Sequence, residues 1–257
     1  MGQDFSGQVA VVTGGSDGIG LATASLLARH GAQVVICGRQ QEKLDNAKTR
    51  IEAEGGKIEA VKLDVSDFDA LTALIEDIAR RHGRLDMLVN NAMSTHYAPI
   101  SRLSLDHWRK DFAVNTEAVF ISTKAAMKVM AAAGKGSIVN IASTCGIRAA
   151  PFMSSYSASK AAMIHFTAVA AMEGARSGIR VNAIVPGQVQ TASTEDFSTK
   201  VPEIAAKTTD AIPMGRGGKP EELAEAIVFM LSDAASYITG TALPVDGGKS
   251  AQLYLPS

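Results

Sequence analysis

Short apolar segments alternate with longer segments of helical periodicity along this chain of 257 residues. The apolar segments predict seven strands, at 9–13, 33–37, 58–63, 87–90, 137–142, 180–185 and 242–245. The periodic segments predict helices near 19–30, 40–54, 67–82, 104–133, 155–177 and 220–232. The first six strands are mostly apolar on both alternating faces, as parallel strands covered on both sides are. This order predicts an α/β Rossmann fold, a doubly wound parallel sheet of seven strands flanked by helices.

The chain has no Pro/Ser-rich linker, low-complexity tract or internal repeat, so we expect one domain over residues 1–257. The stretch at 188–219 departs from the alternation, because it has few strand-forming residues and is rich in Thr, Ser and Lys. An insertion of this length after a strand is more often functional than structural. We therefore expect a mobile, partly helical lid over a substrate site.

Composition narrows the class of protein further. Hydrophobic residues make up 46% of the chain, and the formal net charge is -1 with no basic run, which argues against a nucleic-acid partner. Cys37 and Cys145 are far apart and form no CxxC pattern, so neither a disulfide framework nor a zinc site is expected. The N-terminus has no leader-like pattern, and no apolar run approaches the ~20 residues of a membrane span. We expect a cytoplasmic protein with no membrane partner.

Tyr156 and Lys160 are four residues apart, and Ser143 lies thirteen residues before the tyrosine. Residues i and i+4 of a helix share a face, so the phenol and the ammonium can project into one site. A free tyrosine has a pKa of about 10, and a neighbouring ammonium is expected to lower that pKa toward neutrality. The pair predicts proton transfer at a substrate oxygen, with Ser143 donating a second hydrogen bond. Because YxxxK also arises by chance, the pair alone is weak evidence for catalysis and needs support from other motifs.

A glycine-rich turn at 13–20, with the sequence TGGSDGIG, follows the first predicted strand and opens the first helix. Glycines let backbone N–H groups approach a pyrophosphate, and the helix N-terminus supplies partial positive charge. We predict dinucleotide binding by Gly14, Ser16, Asp17, Gly18 and Ile19. The alternative is a turn whose glycines serve only the packing of helix on sheet.

With these motifs the chain resembles the short-chain dehydrogenase/reductase family, in its ordinary single-domain branch. The matching motifs are, in order, TGxxxGxG, an acidic residue after strand three, an NNAG-like turn at 90–93, an asparagine in the long helix, the serine, YxxxK and PGxxxT at 186–191. The resemblance covers residues from about 6 to 248. Met93 stands where the motif has glycine, so its side chain crowds the cofactor pocket, contacts substrate or only fills space.

The resemblance implies an NAD(P)-dependent oxidoreductase that interconverts a ketone or aldehyde and a secondary alcohol. Tyr156 is then the general acid or base, and Lys160 lowers its pKa and holds the nicotinamide ribose. Ser143 polarises the reacting oxygen, and Asn115 helps to hold a water near Lys160. Hydride transfer places negative charge on the substrate oxygen, and a pair of hydroxyl groups can stabilise and protonate it.

The end of the second strand favours NADP over NAD. Gly38 stands where NAD-preferring relatives carry aspartate, and Arg39 can donate a charge-assisted pair of hydrogen bonds to a 2′-phosphate. Asp17 argues against NADP. Several NADP-dependent relatives carry a basic residue at this position, and an acid would repel the 2′-phosphate. The alternatives are a solvated Arg39, an Asp17 that only forms the turn, and NAD as the cofactor.

The other contacts follow from the resemblance and from the position of the loops. The remaining cofactor contacts are expected from Asp64, Val65, Asn91, Ala92, Pro186, Gly187, Val189 and Thr191, together with Tyr156 and Lys160. Substrate contacts are expected from Met93, His96, Cys145, Phe152, Met153 and Gln188, with Tyr97, Pro151, Phe197 and Met214 as further wall residues. Most of these are apolar, which favours an apolar carbonyl or alcohol substrate. The histidines have no metal-ligand spacing, and no metal site is expected.

Other functions stay open at this point. A catalytically silent dinucleotide-binding regulator is one, because fold does not fix function. Enoyl reduction is less favoured, because relatives that reduce a carbon–carbon double bond usually place the lysine farther from the tyrosine. The alanine-rich helices near 104–133 and 155–177 predict pairing into a homodimer or homotetramer. The apolar tail at 252–256 either covers a neighbouring subunit's cleft or docks on its own domain.

Overall fold

The computed structural model describes residues 3–252, apart from the side chains of residues 193 and 196–198. Its seven strands form one sheet, and every neighbouring pair is parallel. The strands are β1 (Val9–Thr13), β2 (Gln33–Gly38), β3 (Lys57–Lys62), β4 (Met87–Asn90), β5 (Gly136–Ile141), β6 (Ile179–Pro186) and β7 (Ala242–Val245). Their spatial order is β3-β2-β1-β4-β5-β6-β7. The predicted doubly wound α/β fold is confirmed.

Helices flank this sheet at close to the predicted positions. They are α1 (Gly18–Arg29), α2 (Gln41–Ala53), α3 (Phe68–His82), α4 (Leu105–Phe112), α5 (Ala118–Ala133), α6 (Ser154–Gly174), α7 (Ala192–Lys200), α8 (Pro202–Asp210) and α9 (Pro220–Leu231). Local chemistry defines their ends, as α3 illustrates. The Asp67 carboxylate accepts a hydrogen bond from Ala70 N at 3.0 Å, and the helix ends at Gly83 with a φ of 71°.

The sheet separates two hydrophobic cores, because successive strand residues face opposite sides. Ala10 and Val12 of β1 lie in the core formed with α1, α2 and α9. Val9 and Val11 lie in the core formed with α3, α5 and α6. Both sets are buried, which explains why β1 is apolar at every position.

The helix predicted near 104–133 is present, but it contains a π-helical turn. The structure divides it into α4, a π-helical turn (Ala113–Glu117) and α5. The turn contains Asn115, whose buried side chain hydrogen-bonds to Ser94 and Ser159. A π-turn inserts one extra residue, which the apolar periodicity does not reveal, and such turns are frequent at functional sites.

The 188–219 segment contains α7 and α8, its two ends pair with each other, and it is hydrogen-bonded to the loop after β7. Val189 pairs with Gly218 in a parallel bridge, and Met214 N donates to Gly247 O at 3.2 Å. Two predictions lie outside the described residues: the wall contact of Phe197 and the docking of the tail beyond residue 252. Within residues 3–252, no helix combines the length and the apolar character that crossing a membrane requires.

Candidate active site

The carboxyl ends of the parallel strands place the predicted motifs at one edge of the sheet. The glycine-rich turn follows β1, Gly38 ends β2, Asn91 follows β4 and Ser143 lies just after β5. In open α/β sheets, ligands bind outside this edge where the strand order reverses, here between β1 and β4. Motifs that are far apart in the chain therefore share one site.

The glycine-rich turn depends on close approach of its backbone to other groups. Gly14 has a φ of 63°, a backbone conformation that residues other than glycine rarely adopt. A Cβ atom on Gly20 would lie 2.2 Å from the Gly14 carbonyl oxygen and 2.4 Å from Asn91 Nδ2. The same Nδ2 donates to the carbonyl oxygens of Thr13 at 3.1 Å and Gly14 at 2.9 Å. Asn91, expected to contact the cofactor, therefore also holds the turn in place.

Asp17 forms the N-cap of α1, and its Oδ1 accepts a hydrogen bond from Gly18 N at 2.8 Å. Its Oδ2 lies 2.6 Å from Lys43 Nζ on α2. Lys43 was not predicted as a site residue, because nothing in the sequence indicates that the start of α2 faces the glycine-rich turn. The ion pair compensates the negative charge that argued against binding a 2′-phosphate.

The end of β2 lies against the same turn. A Cβ atom on Gly38 would lie 3.2 Å from Ser16 Oγ, so any side chain at this position would require a small shift of Ser16. Arg39 follows directly, is exposed and lines the adjoining cleft. This end of the site therefore presents the exposed Arg39 guanidinium, with the Asp64 carboxylate within electrostatic range of it.

These groups line a cleft of about 410 Å³, which we call the glycine-loop cleft. The predicted cofactor residues that line it are Gly14, Ser16, Asp17, Gly18, Ile19, Arg39, Asp64, Val65, Asn91, Ala92 and Thr191. Gly38, Gln40, Lys43, Leu63, Met93, Ser94 and Val114 line it as well. Backbone N–H groups and a helix N-terminus at its wall suit the pyrophosphate of a dinucleotide.

Besides Tyr156 and Lys160, three predicted cofactor residues do not line this cleft. Pro186 pairs with Val245 in the sheet, and Val189 is 5% exposed in the core with α1 and α9. Gly187 packs so closely that a Cβ atom would lie 2.8 Å from Asp246 Cβ. The structure gives these residues packing roles at the base of the 188–219 segment.

Ser143 and Tyr156 lie side by side where β5 ends and α6 begins. They are 9% and 8% exposed and are hydrogen-bonded to each other through their side chains. Ser143 Oγ also accepts a hydrogen bond from Cys145 N at 3.1 Å. Lys160 Nζ lies 5.7 Å from the centre of the Tyr156 ring. The structure thus brings two hydroxyl groups and one amine together from residues that are separate in the sequence.

The expected lowering of the tyrosine pKa is not found. Burial raises the pKa of Tyr156 to about 12, and the hydrogen bond with Ser143 acts in the opposite direction. Lys160 is 1% exposed, and burial lowers the pKa of its ammonium to about 7. Its Nζ donates to Ile141 O at 2.6 Å. The expectation was wrong because desolvation, which residue spacing does not reveal, acts on both groups.

The Asn115 side chain has hydrogen-bond partners on two other segments of the chain. Its Oδ1 accepts a hydrogen bond from Ser94 N at 2.9 Å, and its Nδ2 donates to Ser94 O at 2.8 Å and to Ser159 Oγ at 3.0 Å. Ser159 Oγ in turn donates to the Tyr156 carbonyl oxygen at 2.8 Å. Ser94 lines the glycine-loop cleft. The Asn115 side chain therefore connects that cleft to the helix that carries Tyr156.

Several predicted substrate residues lie on two loops beside the tyrosine. Met93, Tyr97 and Phe152 are exposed by 51%, 66% and 59%, and we call these three side chains the apolar rim. Ala98 N donates to Phe152 O at 2.9 Å, which joins the loop after β4 to the loop before α6. Phe152 has a φ of 68°, which bulky residues rarely adopt. Strain of this kind is concentrated at functional sites.

Three other predicted substrate residues, Cys145, Met153 and Gln188, are less exposed. Cys145 Sγ lies 3.9 Å from Met153 Sδ, and burial raises the pKa of the Cys145 thiol, which suits a wall residue and not a nucleophile. Gln188 Nε2 donates to Thr209 Oγ1 at 3.3 Å. Its Oε1 is buried without a partner in the described part of the chain, so a ligand could satisfy it.

Sequence reasoning missed one buried acid in this region. Asp111 of α4 is fully buried, and its Oδ1 lies 2.8 Å from Nδ1 of the predicted substrate residue His96. The only trace in the sequence is an acid within a helix whose neighbours include Trp108 and Phe112. Helical periodicity alone does not show whether such an acid faces solvent or the interior.

A larger hollow of about 700 Å³ lies elsewhere, among Asp86, Arg180, Tyr237 and neighbouring residues. None of the predicted catalytic or cofactor residues lines it. Volume is therefore a poorer guide than chemistry, and we assign the site to the glycine-loop cleft and the adjoining tyrosine. No cluster of three or more His, Cys, Asp or Glu side chains in the described residues could hold a metal ion.

Comparison with known proteins extends these observations. A family model described as Enoyl-(Acyl carrier protein) reductase matches residues 14–250. The 3-oxoacyl-[acyl-carrier-protein] reductase FabG of Thermotoga maritima is 40% identical over 245 residues, which cover 95% of this chain and 98% of that protein. The cis-4-hydroxycyclohexanecarboxylate dehydrogenase of Sinomonas cyclohexanicum is 42% identical over 252 residues, which cover 98% of this chain and 100% of that protein.

Two similar solved structures contain nicotinamide cofactors. One is described as an NAD(P)-dependent gluconate 5-dehydrogenase from Beutenbergia cavernae with bound NADP at low occupancy; it has a TM-score of 0.92 and 39% identity, with 97% of this chain and 99% of that chain covered. The other is an NAD⁺-bound xylitol dehydrogenase, with a TM-score of 0.90 and 31% identity, covering 95% of this chain and 99% of that chain. The relatives thus use either cofactor.

Proposed function

Since the chain belongs to the short-chain dehydrogenase/reductase family and is an NAD(P)-dependent oxidoreductase acting on CH–OH donors, we propose that it reduces an apolar cyclic ketone to a secondary alcohol with NADPH. The grouping of Ser143, Tyr156 and Lys160 beside the glycine-loop cleft carries this proposal. The cofactor supplies the hydride when bound, and the residues of the chain orient the ketone and supply the proton.

Reduction is the direction that the tyrosine favours near neutral pH. Its pKa of about 12 keeps the phenol protonated, so Tyr156 can donate a proton to the carbonyl oxygen as negative charge develops there. Ser143 donates a hydrogen bond to the same oxygen. Lys160, with a pKa of about 7, can return a proton to the phenolate. One ketone, one hydride and one proton give the alcohol, whereas oxidation would require phenolate at the start.

NADP is favoured by the charges at the end of β2. Arg39 is exposed, Gly38 adds no acid at the strand end, and Lys43 pairs with Asp17 at 2.6 Å. Asp64, after the next strand, lies within electrostatic range of Arg39. Arg39→Asp is expected to raise the KM for NADPH about 10- to 100-fold more than the KM for NADH, because a charge-assisted contact becomes repulsive. Arg50→Asp, at the far end of α2, serves as the control and is expected to change neither KM. Equal effects of Arg39→Asp on both cofactors would contradict NADP preference.

The substrate class follows from the apolar rim and from one relative. Exposed apolar side chains at Met93, Tyr97 and Phe152 suit a carbocyclic ring better than a charged or sugar-like substrate. The Sinomonas relative is named for a hydroxylated cyclohexane ring that also carries a carboxylate. NADPH consumption is to be measured with cyclohexanone, a linear ketone and an aldehyde. We expect the highest kcat/KM with the cyclic ketone, and a preference for the aldehyde would contradict this assignment.

Reduction of a 3-oxoacyl thioester is the second candidate, because the Thermotoga relative carries that name at 40% identity. A 3-oxoacyl thioester belongs in the same assay, and a kcat/KM far above that of cyclohexanone would favour this function. Enoyl reduction is disfavoured by the spacing of Tyr156 and Lys160. Turnover of any ketone would exclude a silent dinucleotide-binding regulator.

Assembly into a homodimer or homotetramer is part of the proposal. Apolar side chains on α5 and α6 are exposed in the single chain: Phe120 by 48%, Val169 by 42% and Met172 by 82%. Exposed apolar side chains on two long helices are typical of a subunit interface. Light scattering is expected to give a multiple of 26.8 kDa, and the mass of one chain would contradict the assembly.

A further inference from the structure

A polar network beside Tyr156 involves residues that the reduction does not itself require. Asp111 is fully buried in α4. Among the buried side chains that the structure describes, Asp111 and Lys160 are the only Asp, Glu, Lys or Arg residues. Burial of a charged group is costly unless it is paired and hydrogen-bonded, so such groups are concentrated at functional sites. One of these two residues is already assigned to catalysis, and the other needs an explanation.

Three donors converge on the Asp111 carboxylate. Ser94 Oγ and His96 Nδ1 each lie 2.8 Å from its Oδ1, and Ser155 Oγ donates to its Oδ2 at 2.5 Å. Ser94 and His96 belong to the loop after β4, whereas Ser155 immediately precedes Tyr156. The buried acid therefore joins that loop to the first turn of the catalytic helix.

The His96 imidazole is held in one orientation by this network. Its Nδ1–H donates to the Asp111 carboxylate, and its ring stacks on His107 with centroids 4.1 Å apart and an interplanar angle of 12°. A carboxylate on one ring nitrogen determines which nitrogen is left to interact. Nε2 has no hydrogen-bond partner among residues 3–252, and the side chain is 28% exposed. Nε2 is therefore a fixed polar atom that is accessible to a ligand.

The loop that carries His96 borders the catalytic tyrosine. The charges of Asp111 and of Tyr97, the neighbour of His96, both act to raise the pKa of Tyr156, after burial as the main cause, so they lie within electrostatic range of the phenol. The hydrogen bond from Ala98 N to Phe152 O brings the same loop against the residues before α6. The loop that carries His96 thus borders the tyrosine and contributes Met93 and Tyr97 to the apolar rim.

We propose that His96 Nε2 binds a second hydroxyl group of the substrate, so that the preferred substrate is a cyclic hydroxyketone. This inference rests on the proposed ketone reduction. A hydroxyl group suits this position because it donates to a neutral imidazole and accepts from a protonated one. An anionic group is disfavoured, because the Asp111 carboxylate lies directly behind the ring. Tyr156 then acts on one oxygen, His96 binds the other, and the apolar rim contacts the carbons between them.

The test compares cyclohexanone with 4-hydroxycyclohexanone, which have the same ring. The wild type is expected to show a kcat/KM about tenfold higher for the hydroxyketone, as one well-placed hydrogen bond provides. His96→Phe keeps an aromatic ring against His107 and should reduce this ratio to about one. His107→Phe is the matched control and should keep the ratio. If His96 were only structural, both ketones would be affected equally and the unchanged ratio would overturn the proposal.

Two further arms make the outcome specific. His96→Asn retains a donor for Asp111 but is shorter, so it should lose the same preference without leaving the buried acid unpaired. With 4-oxocyclohexanecarboxylate, a wild-type preference over the hydroxyketone that His96→Phe removes would overturn the assignment of a hydroxyl group. Absence of turnover with every ketone would contradict the proposed function itself. Turnover of cyclohexanone with no hydroxyketone preference would contradict only the role of His96.

Discussion

The two ends of the site differ in the groups that form them: backbone groups at one end and side chains at the other. The glycine-loop end is formed by backbone groups and by glycines that other atoms approach closely, as at Gly20. The substrate end is formed by side chains on loops, including the exposed Met93 and Phe152 of the apolar rim. Backbone geometry tolerates few replacements and leaves a recognisable motif, whereas a rim of side chains can vary with the substrate. Changes at the first end should therefore cost more than changes at the second.

The largest effect is expected at Gly20. In Gly20→Ala the Cβ atom would lie 2.2 Å from a backbone oxygen, so the turn must shift. We expect the free energy of unfolding to fall by about 3 kcal/mol and NADPH to bind at least about tenfold more weakly. Urea unfolding and cofactor titration measure the two effects. At Gly217 the nearest atom would be at an ordinary 3.4 Å, so Gly217→Ala should change stability by less than about 0.5 kcal/mol. Similar losses of stability in Gly20→Ala and Gly217→Ala would show that close approach of the backbone at Gly20 is not the cause.

Lys160 lies between the two ends, and its burial predicts a pH dependence of stability. Its pKa is lowered from 10.5 to about 7, so between these values the unfolded chain binds a proton that the folded chain does not. Stability is therefore lost as pH falls through this window, by up to about 1.4 kcal/mol per pH unit. Lys160→Met lacks this titration. The unfolding free energy of the variant minus that of the wild type should therefore decrease as pH rises.

Urea unfolding at about pH 7.5 and about pH 9.5 measures this difference. The range stays below pH 10 because Tyr156, with a pKa raised from 10 to about 12, has the opposite effect above it. A difference between wild type and variant that does not change with pH would show that Lys160 titrates as an exposed lysine does.

The smallest effect on stability is expected at the apolar rim. Phe152 has a φ of 68°, so Phe152→Gly should relieve strain and raise the free energy of unfolding by about 1 kcal/mol. The KM for a cyclic ketone should rise several-fold, and the KM for NADPH should stay the same. Phe152→Ala removes the ring but keeps a side chain at this φ, so it should raise the ketone KM without the gain in stability. A loss of stability in Phe152→Gly would show that the ring packs on the fold.

The same contrast explains what could be predicted from the sequence. The strands followed from apolar segments, and the glycine-rich turn followed from a motif whose spacing has a physical cause. Pairing across α-helical turns placed Tyr156 beside Lys160. The sequence could not show how far these two groups are desolvated, and so the direction of the tyrosine pKa was predicted wrongly.

Contacts between distant segments were the other limit. Lys43 approaches Asp17 only because α2 packs beside the glycine-rich turn, and Asp111 meets His96 only because α4 packs under the loop after β4. The π-turn at Asn115 adds a residue that no periodicity reveals. Each of these depends on tertiary packing, which a local pattern does not contain.

The most direct test of proton donation by the tyrosine is a comparison of wild type with Tyr156→Phe, which keeps the buried ring and removes only the hydroxyl group. NADPH-dependent reduction of a cyclic ketone and the Kd of NADPH are to be measured for both proteins. We predict that kcat falls by about 10³-fold in Tyr156→Phe while the Kd changes by less than about threefold. A kcat within about tenfold of the wild-type value would contradict the assignment of Tyr156 as the proton donor.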